Sequence, residues 1–192
     1  MFRQKHTVRN AKVLMITFAI AFHVGGCTMN DPVDSITDET RASTSRPSVP
    51  DKEILESAKS AYDRYLAVAD QILADGGNSS DRIDAVASDE YAETFALDAA
   101  EYSAAALRTV GTTEIKFIEL QSWALDDDGF SISTYVCDDV AGIDVLDAEG
   151  KSVVSSERDS VTPYQVRFQG KSLDELTVSA KDYWTGADFC GA

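Results

Sequence analysis

The apolar period of this chain changes once, at Gly111, from three or four residues to two, and that change restricts the fold more than any other feature. Upstream, Ile54, Leu55, Ala58, Ala61, Tyr62, Tyr65, Ala69, Ile72 and Leu73 recur at helical spacing behind Asp51 as a cap, and Gly76-Gly77 ends the run. A short helical turn is expected around Asp81 to Val86. Ser88 caps a second helix reaching about Thr109, with Tyr91, Phe95, Ala99, Tyr102, Ala106 and Val110 facing inward. Downstream, residues 112–125 read as a strand whose apolar phase slips between Phe117 and Ile118, which predicts a bulge or bend. After the turn Asp126-Asp127-Asp128-Gly129, a second strand carries Phe130, Ile132, Thr134 and Val136 on one face. Tyr135 falls on the other face, where it is either covered or exposed. A short strand near Ile143 to Leu146, a return at Lys151 to Val154, and two further strands carrying Tyr164, Val166 and Phe168, then Leu176, Val178 and Ala180, complete the order. Helices first and antiparallel strands afterwards predict an α+β domain with the helices packed on one sheet face.

The N-terminus speaks about location. Arg3, Lys5, Arg9 and Lys12 precede a twelve-residue apolar run, Val13 to Val24, and Gly25-Gly26-Cys27 follows it. The run is too short to span a bilayer as a finished helix, which takes about 20 apolar residues. Small residues ahead of a cysteine at the cut site resemble the lipobox of bacterial lipoproteins, which implies lipid on the Cys27 thiol, palmitate among the acyl chains, and removal of residues 1–26. An ordinary secretory signal and an uncleaved anchor are the alternatives. Residues 27–50 are Asp-, Ser-, Thr- and Pro-rich with few large apolar side chains, and read as a disordered tether reaching roughly 25 Å. The expected globular domain is 51–192.

Cleavage sharpens what the composition excludes. Every one of the 33 acidic residues survives and four of the 17 basic ones are lost, so 13 positive charges face 33 negative ones, a formal net charge of −20. Such a surface repels phosphate backbones, so nucleic acid is not an expected partner. Both histidines, His6 and His23, lie in the leader. A mature chain without imidazole has no Ser/His/Asp or Cys/His catalysis and lacks the commonest transition-metal ligand. With Cys27 acylated, Cys137 and Cys190 remain, and two cysteines in an oxidising compartment pair more often than they stay free. A reactive thiol is the competing reading.

No constellation announces chemistry. The Asp126–Gly129 turn fails the EF-hand register, because Ala124 stands where a first ligand belongs. Asp138-Asp139 offers a general base only if one of the two faces an enclosed pocket. The aromatic residues Tyr62, Tyr65, Tyr102, Trp123, Tyr135 and Trp184 are the candidate pocket, and core packing explains them equally well.

The element order, with Cys137-Asp138, Asp147 to Gly150, Trp184 and Cys190, resembles the NTF2-like (SnoaL-like) domains found in small actinobacterial lipoproteins. The resemblance implies helices on a curved antiparallel sheet, shaped as a cone around a pocket, with no cofactor. The expected protein is a non-enzymatic binding or interaction module held by its lipid on the outer face of the cytoplasmic membrane, its ligand a small molecule or an envelope protein. A homodimer through the exposed sheet face and a tethered monomer both fit. The alternatives are a SnoaL-like enzyme using Asp138 with a tyrosine, and a structural envelope lipoprotein.

Overall fold

The computed structural model describes residues 49–191, so Cys27, the leader and the tether up to residue 48 lie outside the described residues. Helix α1 spans Asp51–Ala74 and α2 spans Asp89–Ala104, joined through a 3₁₀ turn at Ser80–Ala85. The strands are β1 (Arg108–Val110), β2 (Glu114–Asp126), β3 (Gly129–Asp139), β4 (Asp144–Leu146), β5 (Val161–Gly170) and β6 (Thr177–Tyr183). All pair antiparallel, as a four-stranded sheet in the order β2-β3-β5-β6 and a two-stranded ladder of β1 with β4. The fold is α+β, with both helices against the sheet. The sheet is open and uncurled, since the short β1/β4 ladder stands apart from it and does not extend it into a cone.

Helix α1 buries Ile54, Ala58, Ala61, Tyr62, Tyr65, Leu66, Ala69 and Ile72, a stripe at three- and four-residue spacing. Pro50, not Asp51, is its N-cap, and the Asp51 carboxylate instead accepts from Trp123 Nε1 at 2.8 Å. At the other end Gly76 (φ +70°) and Gly77 close a Schellman motif, with bonds from Gly77 N to Ile72 O and from Gly76 N to Leu73 O. Gly77 also has no room for a side chain, because a Cβ there would lie 2.1 Å from Ala99 O.

Helix α2 is shorter than its periodicity suggests. Ser88 caps it, accepting from Tyr91 N at 3.4 Å, but it stops at Ala104, and Ala106 takes a left-handed φ of 52°. Leu107 N bonds to Tyr102 O and Ala106 N to Ser103 O, which is the same Schellman closure built on an alanine. Arg108 to Val110 are thereby freed to pair with β4, and Ala106 and Val110, expected inside, are exposed. The expected return strand at Lys151 to Val154 reduces to one bridge, Leu146 with Ser152.

Register decides which side chains face the helices. In β2 the bulges fall at Lys116 and Gln121, so Phe117 and Ile118 sit in regular pairs opposite Cys137 and Val136. The bulge expected at this phase slip is thus found one residue early, at Lys116, and it puts both Ile115 and Ile118 on the inner face; Phe117 faces outward, where the C-terminal segment covers it, with Phe189 6.4 Å away. In β6 the extra residue is Ser179, between Val178 opposite Phe168 and Ala180 opposite Arg167. That one residue sends Ala180, expected inside, to the outer face and brings Lys181 and Tyr183 to the inner face, opposite Val166 and Tyr164.

Candidate functional site

Lys181, turned inward by the β6 bulge, meets an acid. Ile132, Thr134, Val136 and Asp138 alternate along the inner face of β3, and the Asp138 side chain is 1% exposed. Lys181 Nζ lies 2.7 Å from Asp138 Oδ2. The Tyr62 hydroxyl, from α1, donates to the same carboxylate, with 2.8 Å to Oδ2 and 3.1 Å to Oδ1. The Lys181 ammonium also sits 4.2 Å from the centre of the Tyr164 ring. Burial, and after it the Asp138 charge, raises the Tyr62 phenol well above the usual tyrosine range and Tyr164 to about 12. Both phenols therefore remain protonated hydrogen-bond donors throughout the physiological range.

Tyr62 stacks on Tyr65 at 5.9 Å and meets Phe168 edge-on, while the Tyr65 and Tyr91 hydroxyls are 3.2 Å apart. Burial followed by Tyr91 raises Tyr65 well above its ordinary value. These two tyrosines, expected in a pocket, belong to the packed core, because α1 lies flat on the sheet there.

An open groove of about 840 Å³ lies beyond this cluster, at the end of the sheet. Its lining brings together Leu73 of α1, Tyr102 of α2, Thr109 of β1, Val145 of β4, Val161 to Tyr164 of β5, Tyr183 of β6, and Trp184 to Gly186 with Asp188 and Cys190 of the C-terminal segment. Of the six candidate pocket residues, Tyr102 and Trp184 line this groove. Trp123 instead packs on Phe130 and bonds to Asp51. Tyr135 is on the outer sheet face, 5.0 Å from Trp184 and 5.1 Å from Phe189, with its hydroxyl accepting from Gln121 Nε2 at 2.7 Å. Sequence reasoning missed Tyr164 as a groove residue, because it reads as a core position; Tyr183, which belongs with the aromatic residues that suggest a binding pocket in the sequence, lines the groove and is inward only because of the bulge at Ser179.

Asp, Thr and Arg side chains also line the groove, and several of them are committed. Arg158 donates to the Val140 carbonyl at 2.8 Å and to the Ile143 carbonyl, tying the β3–β4 connection to the segment before β5. Asp70 accepts from Thr113 N at 2.7 Å and Thr113 Oγ1 at 3.0 Å. The Thr109 hydroxyl is the exception: the residue is 6% exposed and its oxygen has no hydrogen-bond partner among the described residues.

The disulfide forms one wall. Cys137, wholly buried on the outer face of β3, is bonded to Cys190, and the strap between Trp184 and Cys190 is folded over Tyr135 and Phe117 by aromatic contacts. Closing a loop of 53 residues corresponds to about 4 kcal/mol in the chain-entropy description. Asp139, next along β3, is part-exposed and accepts from Ala141 N at 2.9 Å in a turn. Asp126 and Asp147 likewise close turns through backbone N–H groups. Among the described residues no three His, Cys, Asp or Glu side chains converge to hold a metal, and no helix is long and apolar enough to cross a membrane.

No family model and no curated protein matches the chain. Among solved structures, a de novo designed β-sheet protein in solution aligns at 15% identity over 72% of this chain and 96% of its own, with a TM-score of 0.31. The crystal structure of the intermembrane space region of the chloroplast protein ARC6 aligns over 72% of this chain and 100% of that one, at 10% identity and a TM-score of 0.50, a likeness of fold alone.

Proposed function

We propose that this chain is a lipid-anchored, extracytoplasmic binding module of the NTF2-like type, non-enzymatic, whose ligand enters the groove between the β1/β4 ladder and the end of the main sheet. The observation that carries the binding half is the groove, whose walls combine aromatic and aliphatic side chains with Asp, Thr and Arg groups, a make-up that suits a small-molecule site. The anchored half rests on the basic, apolar and small-small-cysteine sequence ending at Cys27. Two or more acyl chains hold a protein stably at a bilayer, and the residues up to 50 would let the domain stand clear of the lipid.

The enzyme alternative draws on one specific feature, the inward Asp138 beside Tyr62. As an acid–base pair it is poorly placed: Tyr62 and Lys181 occupy the carboxylate, and neither Asp138 nor Tyr62 lines the groove. A ligand in the groove would meet Tyr164 first. The cluster is better suited to fixing β3, β6 and α1 against one another.

Native mass spectrometry of the chain released from its own membranes tests both halves. The expected result is an acylated amino terminus at Cys27 and a small-molecule adduct that a Tyr183→Ala/Trp184→Ala variant lacks. An unmodified Cys27 refutes the anchor, and an adduct unchanged in the variant refutes the groove.

A further inference from the structure

The segment after β6 is tied down differently from the rest of the domain. Trp184 N donates to Pro163 O at 3.0 Å. Past that bond the outer sheet face holds it by ring contacts, Trp184 on Tyr135 and Phe189 on Tyr135 and Phe117, and by the bond from Cys190 to Cys137. The strap also closes on itself. Trp184 Nε1 donates to Ala187 O at 3.0 Å, Cys190 N to Asp188 Oδ1 at 2.9 Å, and a Cβ on Gly186 would lie 2.4 Å from Trp184 Cζ2. We infer that the Cys137–Cys190 bond is a redox latch on this strap: its reduction by a dithiol frees residues 184–190 and removes that wall of the groove, while the domain beneath stays folded.

The buried core lies between the helices and the inner sheet face, and no residue of the strap belongs to it. Loss of the strap uncovers the outer face alone, which makes it a local opening of the structure and not a global one. Elsewhere that face is polar: Gln121 Oε1 accepts from Ser133 Oγ and Gln165 Nε2, and Arg167 pairs with Asp182. Under the strap it turns apolar, at Phe117, Tyr135 and Cys137, and Phe117 is still 39% exposed. Contacts this open give up little burial energy on release, so the covalent bond decides whether the strap stays.

The bond is open from one side. Cys137 is wholly buried, whereas Cys190 is half-buried and lines the groove. A thiolate entering there attacks Cys190 Sγ; the S–S bond breaks, and its electron pair leaves on Cys137 Sγ, which takes up a proton. The second thiol of the reductant then attacks the mixed disulfide and expels Cys190 as a thiolate, protonated in turn. Two electrons have reached the cysteines, and the dithiol leaves as a disulfide. The latch does not depend on a molecule occupying the groove.

Limited chymotrypsin digestion of the full chain in lipid nanodiscs tests this, before and after treatment with dithiothreitol that is removed under argon ahead of the protease. Cleavage after Trp184 and Phe189 should be about tenfold faster in the reduced chain, with cleavage after Tyr62 and Tyr65 of α1 unchanged. Reoxidation should restore the slow rate. Cys137→Ala/Cys190→Ala should be cut in the strap at the fast rate with or without dithiothreitol. Brief exposure to glutathione, a monothiol, followed by acid quenching should place the glutathione on Cys190. An unchanged strap overturns the latch, because the rings then hold it without the bond. Equal acceleration at Tyr62 and Tyr65 overturns it as well, since the bond then holds the whole domain. A response of the double variant to dithiothreitol does the same, and glutathione on Cys137 overturns the route through the groove.

Discussion

Lys181→Met tests whether the buried triad fixes the packing of β6 and α1 on β3. The substitution keeps the length and apolar stem of the side chain and removes its charge, leaving the Asp138 carboxylate, 1% exposed, with the Tyr62 hydroxyl as its remaining side-chain donor. Breaking a buried pair by removing one partner costs about 3–5 kcal/mol, a large share of the roughly 5–15 kcal/mol that holds a domain together. Removing the charge from both sides should cost far less. In Asp138→Asn/Lys181→Met the amide still accepts from Tyr62 and no ion is stranded, so the double variant should lie within about 2 kcal/mol of wild type. Urea unfolding followed by tryptophan fluorescence reads all four corners of the cycle, with an unchanged m-value as the check that the unfolding reaction is the same. The expected coupling between the two sites is about 2 kcal/mol or more. Additivity within about 0.5 kcal/mol would refute the reasoning, since it would mean that the two charges do not stabilise each other.

Other consequences are independent of that pair. Cys190→Ser should lower stability by about 4 kcal/mol and release the strap, read as increased solvent exposure of Trp184 and as a changed urea midpoint. Alkaline pH should destabilise the fold: tyrosines 62, 65 and 164 ionise less readily folded than unfolded, so their contribution is intact below about pH 10. It is lost as pH rises through about 12 for Tyr164 and through the likewise raised range of Tyr62 and Tyr65, and phenolate absorbance should rise together with unfolding, not before it. Ala106→Gly should stabilise by about 0.5–1 kcal/mol, because glycine accepts the left-handed backbone of this helix end at less cost; a lowered melting temperature would contradict that account.

The two helix ends show what could be read in advance. Gly76-Gly77 announces the end of α1, since glycine is the usual residue at a left-handed cap, whereas α2 ends with the same bonds on Ala106, a strong helix former that signals continuation. Tertiary pairing of Arg108 to Val110 with β4 decided the matter there. The long β3 and β5 were legible because their alternation is clean and their inner positions are buried as the period requires. The groove was less legible: a single inserted residue, Ser179, moves Lys181 and Tyr183 to the inner face, and no local signal marks it. Tyr62 and Tyr65 share with Tyr102 an inward helical spacing, but spacing does not say whether the sheet is beneath a residue or has already ended. Residues 62 and 65 sit over the sheet and pack; residue 102, near the end of α2, lines the opening.

The central claim is that the groove at the end of the sheet is where this domain holds its ligand. Its most direct test is a crystal structure of the chain as it leaves its own membranes, without refolding. The account predicts electron density for a non-protein molecule in the groove lined by Tyr102, Tyr183 and Trp184. A groove filled by the protein's own side chains, or a ligand bound elsewhere with these three rings untouched, would contradict it.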